Sequence, residues 1–438
     1  MPLKLMPLIV AIALALAAVP LAYADPLIPP ATARASLPGM PPLVDANNLY
    51  SETAAGKFAA AAKDMPPRVY VPEHGGDSVT VIDQATLKVV AHFHTGPSPQ
   101  HVVPSWDLKT LWVTNNNDFH RRGGSGLTRI DPLTGNASTT IEVSDPYNMY
   151  FMPDGSAAIV VNEAQRRLDF RDPQTMALLY AIPTPECYGL NHADFSMDGT
   201  YALFSCEFGG AVAKIDLVTR KVLGTLKLVK PMAGMTMPDM GREQASATGQ
   251  AGRRVFRGGS RRGRRHGGMR HMMMGHGMPQ DIRISPDGKI FYVADMVSDG
   301  VFLVDGEALT QVGFLPTGPG AHGFCVSRDA KKLYVSNRGS HAMPSGRPHN
   351  PGSVSVIDFA TRKVEANWPI PGGGSPDMGG VSADGKTLWF AGRFDNEVYA
   401  IDTTTGSVTK IKVGSEPHGL AVWPQPGRYS LGHTGNMR

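Results

Sequence analysis

The segment AHGFCVSRDAKKLYVSNRG, residues 321–339, followed after a polar stretch by GSVSVIDFATRKV, residues 352–364, decides the fold. Gly323 to Ser327 is a short apolar run, and Arg328-Asp329-Ala330-Lys331 is a polar turn. Lys332 to Asn337 is a second apolar run ending in Asn-Arg-Gly. Ser353 to Asp358 alternates polar and aliphatic residues, the period-two signature of a strand with one face buried. Thr361-Arg362-Lys363 then turns the chain into a fourth strand. The unit reads as a four-stranded antiparallel meander.

Sister copies run along the chain. The aspartate that closes each third strand recurs as Asp83, Asp131, Asp172, Asp216, Asp305, Asp358 and Asp402. The steps between them are 41 to 53 residues, apart from one of 89, against the roughly 40–45 of a four-stranded propeller blade. The long step hides no further unit, because Pro231 to Met278 shows no strand alternation. Turns between first and second strands carry Pro153-Asp154-Gly155, Met197-Asp198-Gly199, Pro286-Asp287-Gly288 and Ala383-Asp384-Gly385, where glycine tolerates the positive φ of a tight reversal. The last first-strand, His418 to Pro424, has no second strand after it, so its partner is Arg68 to Pro72 at the other end of the repeat. Closing the ring this way removes exposed sheet edges. The expected fold is all-β, a seven-bladed propeller over residues 68–424, with a tail at 425–438 outside the repeat.

Before the repeat, Met1 to Ala24 has Lys4, then the apolar run LMPLIVAIALALAAVPLA and Ala22-Tyr23-Ala24 ahead of Asp25, which reads as a secretory signal cleaved after Ala24. No later segment is apolar and long enough to span a membrane, so a secreted or periplasmic protein is expected. Residues 25–67 form a Pro- and Ala-rich leader with a short helix expected over Ser51 to Lys63. The three cysteines are too few for a disulfide scaffold, and without a C-x-x-C-H motif no c-type haem is expected.

In a meander blade the loop entering the first strand and the loop leaving the second share one face, opposite the Asp-Gly turns. The residue seven before each turn aspartate is Gln100, Tyr147, Asn191, Gln280, His322 or Asp377, and the closing strand adds His418. These form a polar ring at one mouth of the channel. His101 and His192 stand one place further along, and His74 follows the second strand of the first blade. The set His74, His101, His192, His322 and His418 is the expected metal site, since imidazole suits Cu, Zn and Fe. Glu73, Asn116, His120, Arg121, Arg122, Glu163, Arg166, Tyr188, Glu207, Arg338 and Arg393 fall on the same rim, where arginine forks suit an anionic ligand. The bland alternative is a solvated rim. Cys187 and Cys206 flank one hairpin, leaving a disulfide or a share in a soft metal site open, and Cys325 reads as a buried small hydrophobe.

The insert 231–278 is a second signal. Met232, Met235, Met237, Met240, His266, His271, Met272, Met273, Met274, His276 and Met278 make a soft ligand set that suits Cu(I), on a segment whose composition is that of disorder. Its nine arginines against Asp239 and Glu243 give it +7 of a chain total of +4, leaving the remainder at −3. Basicity therefore belongs to the insert, and no nucleic-acid partner is expected for the propeller.

The motif copies LWVTNN at Leu111, LYVSNR at Leu333 and VYVPEH at Val69, with the third strands SVTVID, SVSVID and VYAIDT, resemble the YVTN-type seven-bladed propeller family, in its cytochrome d1-domain-like branch. The likeness covers residues 68–424, and it implies an exported propeller binding a small-molecule ligand or another exported protein, without catalysis. The Pro417-His418-Gly419 and Ala321-His322-Gly323 segments look like channel-mouth histidines of copper propellers of the nitrous oxide reductase type, although that family also needs an electron-entry copper domain. Three readings stay open: copper binding at the mouth, a copper- or haem d1-dependent oxidoreductase, and an interaction scaffold. Fold alone does not choose among them, and hydrolase motifs are absent from the sequence.

Overall fold

The computed structural model describes residues 36–117, 124–231, 277–339 and 350–438. Among them, seven four-stranded antiparallel sheets form the ring of blades. Each sheet runs from an inner strand outward in chain order. The inner strands are Pro99–Pro104, Pro146–Phe151, Leu190–Phe195, Pro279–Ile284, Ala321–Val326 and Pro376–Val381, and all but the last residue of Ala321–Val326 are buried. The seventh is Ala421–Trp423, which pairs with Arg68–Glu73 through Arg68↔Trp423, so the ring closes as the sequence requires. Outer strands such as Lys88–His94 and Lys221–Lys227 are largely exposed, which is why the hydrophobic alternation fades there.

The repeated Thr/Ser-Asn ending of the second strand has a structural reason. Six inner strands carry a β-bulge at their second and third residues, as between Leu190 and Ala193 or Ala321 and Phe324. A bulge sets two residues against one and frees a backbone N–H. The second-strand hydroxyl accepts it: Thr114 Oγ1 from His101 N at 3.1 Å, Ser205 Oγ from His192 N at 2.9 Å, Ser336 Oγ from Gly323 N at 2.7 Å. The following asparagine ties the third strand, with Asn337 Nδ2 donating to Ser353 and Ser355 and Asn115 Nδ2 to Thr128. Carboxylates stitch blade to blade, Asp194 accepting from Ile284 N and Asp281 from Phe324 N, both at 2.9 Å.

Two segments differ from expectation. Ser51 to Lys63 forms only a 3-10 turn at Ser51–Thr53, because Gly56 sits at φ 78° and breaks the run. The described part of the leader instead runs along the turn face, with Leu37 N donating to Asp198 O and Leu49 N to Pro286 O. The tail is not outside the fold. Residues 429–438 are all buried except for a half-buried edge, and they make a hairpin with a Ser430↔Met437 bridge that enters the channel from the turn face. Its reversal needs four consecutive positive φ angles at Gly432, His433, Thr434 and Gly435. Phe151 N donates to Leu431 O, and Tyr150 bridges Gly432. Among the described residues no helix is long and apolar enough to cross a membrane.

Candidate metal centre

The bulges decide what lines the channel. In a regular strand Asn191 and His192 would face opposite sides, but the bulge lets both the mouth position and the next residue serve the channel. His101, His192 and His322 come together this way, and His418, ahead of the closing strand, joins them; all four are 0–2% exposed. Ring centroids are 5.3 Å apart for His101 and His192, 4.7 Å for His101 and His418, 6.4 Å for His192 and His322, and 6.1 Å for His322 and His418. Gly419 makes room, since a Cβ there would stand 1.9 Å from His101 Nδ1.

A fifth ring comes from the tail. His433, fully buried at the hairpin tip, lies 4.6 Å from His192 and 5.1 Å from His101. One nitrogen from each of His101, His192 and His433 lies within 4.8 Å of the others. Only the Gly432-His433-Thr434-Gly435 pattern hints at this in sequence, as a histidine on a glycine-flanked reversal, and nothing in the repeat register points to it.

The partners of these rings differ. Neither nitrogen of His101 has a partner among the described residues, although both are buried. Asn148 Nδ2 donates to Nδ1 of His192 at 3.1 Å and of His433 at 2.9 Å, and His433 Nε2 is 3.5 Å from Asp281 Oδ1. Asp377, fully buried, takes His418 Nδ1 and Arg338 Nη2 on Oδ2, both at 2.7 Å, while His322 Nδ1 approaches Oδ1 at 2.7 Å but poorly aligned. Burial holds all five imidazoles below their ordinary range, His322 down to about 4. Arg338 and the two facing histidines hold the Asp377 carboxyl well below the usual range despite its burial. The well thus offers neutral imidazoles, the protonation state that binds metal, beside one ionised carboxylate.

The other expected residues are placed as follows. His74 is held at the rim by Glu416 Oε2 at 3.1 Å and Arg393 Nη2 at 3.0 Å, not by the histidine cluster. Glu73 is a structural anchor with both oxygens engaged, by Ser78, Thr80, His92 and Gly414 N. Glu207 accepts from Asn191 Nδ2 at 2.8 Å, and burial pushes its carboxyl up. Tyr188 is 45% exposed and lies under the Arg166 guanidinium at 4.5 Å. The Cys187 and Cys206 sulfurs sit at bonding distance, 1.93 Å, which removes them as metal ligands, and Cys325 is free and buried. Of the insert set only Met278 lies within the described residues, immediately before Pro279–Ile284; Met232, Met235, Met237, Met240, His266, His271, Met272, Met273, Met274 and His276 lie outside them, as do His120, Arg121 and Arg122.

A family model described as YNCE-like β-propeller matches residues 269–426. A comparison with curated proteins gives no match. Among solved structures, the dihydro-haem d1 dehydrogenase NirN in complex with DHE is 12% identical over 84% of this chain and 77% of its own, with a TM-score of 0.53. A putative 6-phosphogluconolactonase from Bacteroides uniformis is 15% identical over 81% of this chain and 99% of its own, at 0.56. A functionally unknown protein from Desulfotomaculum acetoxidans is 14% identical over 82% and 99%, at 0.55. At such identities the likeness is one of fold, and it agrees with the YVTN-type propeller reading of the motifs.

Proposed function

We propose that this chain is an exported propeller that holds one metal ion, copper first, in the histidine well of its channel, and presents it to a small ligand at the mouth. The observation that carries the reading is the trio His101, His192 and His433, with His101 buried at 0% exposure and both its nitrogens unpartnered. A buried polar atom without a partner costs about 1–3 kcal/mol, and a metal relieves that cost for the coordinating nitrogen. Metal–imidazole bonds of about 2.0–2.1 Å require the trio to close by about an ångström, within the reach of side-chain rotation. His322 and His418 stand ready as further donors: Asp377 takes His418 Nδ1 and orients that ring, the arrangement that supports metal-bound histidine, and its other oxygen stands 2.7 Å from His322 Nδ1. An all-imidazole set ranks Cu(II) highest among divalent ions, and the Met- and His-rich insert is an accessory soft site suited to Cu(I). The signal-like N-terminus and the Cys187–Cys206 pair support export. Haem d1 fits the well poorly, since rings 4.6–6.4 Å apart leave no slot for a macrocycle between them.

Metal analysis and absorption spectra of the purified full chain test this. One equivalent of metal should persist when residues 231–278 are replaced by a short linker and vanish in the triple variant His101→Ala, His192→Ala, His433→Ala. Metal content equal in the triple variant and the parent rejects the well; metal lost with the insert alone makes the protein a surface chelator.

A further inference from the structure

Above the histidines the mouth holds two guanidiniums with N–H groups that no acceptor among the described residues takes. Arg338, 9% exposed, gives Nη2 to Asp377, and its Nε is buried without a protein partner. Arg393 Nη2 lies 3.0 Å from His74 Nδ1, and its Nη1 is buried with no partner among the described residues. Both guanidiniums act electrostatically on His322, His418 and Tyr147, and Arg338 adjoins the well through Asp377, which also takes His418 Nδ1. Tyr147 stands edge-on to His101 at 5.6 Å and to His192 at 5.7 Å, and its hydroxyl has no hydrogen bond among the described residues. Asp377 pairs directly with Arg338 and also bears on Arg393, as Glu416 does and as Glu207 does on both guanidiniums, yet none of the three takes Arg393 Nη1. A buried, unanswered guanidinium N–H is a donor shaped for an anionic oxygen or nitrogen.

We infer that the mouth binds a small monoanion, an oxyanion or short carboxylate, over the metal, with Arg393 Nη1 as its principal donor and the Tyr147 hydroxyl beside it. This rests on the metal reading above and adds the class of ligand. The anion occupies the mouth-facing coordination position and accepts from Arg393 Nη1, which no acceptor among the described residues takes. Arg393 is a binding residue for that ligand and takes no part in holding the metal.

Azide and formate serve as probes on the Cu(II)-loaded full chain, followed by the azide charge-transfer band and by electron paramagnetic resonance. Azide should bind, formate should compete with it, and Arg393→Gln should weaken both by about ten- to a hundredfold with copper content unchanged. Arg393→Lys, which keeps the charge and loses the fork, should fall between, and it decides the matter if Arg393→Gln fails to fold. Copper bound with no azide binding, or azide affinity unchanged in the arginine variants, overturns the anion site and leaves the metal centre standing. A chain that takes up no copper in its well overturns the metal reading, and this inference falls with it.

Discussion

Replacing Arg438 by alanine should release the channel hairpin without unfolding the blades. Arg438 is 1% exposed and donates Nη1 to Ser196 O at 3.0 Å, Nη2 to Phe195 O at 2.7 Å and Nη2 to Asp194 Oδ1 at 3.3 Å. The Asp194 carboxylate would not be stranded, since Phe195 N, Ile284 N and Asn436 Nδ2 still reach it. The cost therefore sits at the low end of breaking a buried ion pair, about 3 kcal/mol. At 1.4 kcal/mol per decade, that raises the population with the hairpin withdrawn roughly a hundredfold. Hydrogen exchange read by mass spectrometry is the assay. Amides of Leu431, Asn436 and Arg438, bonded within the hairpin, should lose about two decades of protection, while peptides from Tyr201–Cys206 or Leu388 to Ala391 keep theirs. Since His433 rides on the hairpin tip, metal affinity should fall in the same variant. Unchanged protection over 429–438, or a loss shared evenly by every blade, would refute the latch.

Three further outcomes are expected. In the metal-free protein His322 is lowered to about 4 from 6.5, so its contribution is complete above pH 6.5 and is lost as pH falls toward 4, about 3 kcal/mol from this ring; the other well histidines act with the same sign, and denaturant stability that stays flat between pH 7 and 4 would contradict the burial argument. Asp377→Asn should destabilise by about 3 kcal/mol, because Arg338 is left buried without its counter-charge; a shift in urea midpoint too small to resolve would show that the pair is not desolvated as described. Reducing the Cys187–Cys206 bond, which closes a loop of sequence separation 19, should cost about 3 kcal/mol by loop entropy, read as a lower denaturant midpoint in reductant and matched by a Cys187→Ala, Cys206→Ala variant.

Local sequence patterns specify the ring. Blade number, strand order and closure follow from local patterns, the alternation of SVSVID, the Asp-Gly turns and the Thr/Ser-Asn endings, because each blade buries its residues against its own neighbours in the chain and against identical copies. The repeated register also singled out Gln100, Tyr147, Asn191, Gln280, His322, Asp377 and His418, all of them buried. Only the tertiary structure decided which histidines meet. The bulges that bring His101 and His192 inward depend on pairing with Thr114 and Ser205 across strands, and His74, adjacent to the ring in sequence logic, is drawn off by Glu416 and Arg393. His433 lies farthest from any repeat rule. Its place depends on Asp194, 239 residues away, anchoring Asn436 and Arg438 at the far end of the channel, and long-range ion pairs of that kind leave no periodicity to read. The residue that completes the well comes from the stretch that looked least like part of the propeller.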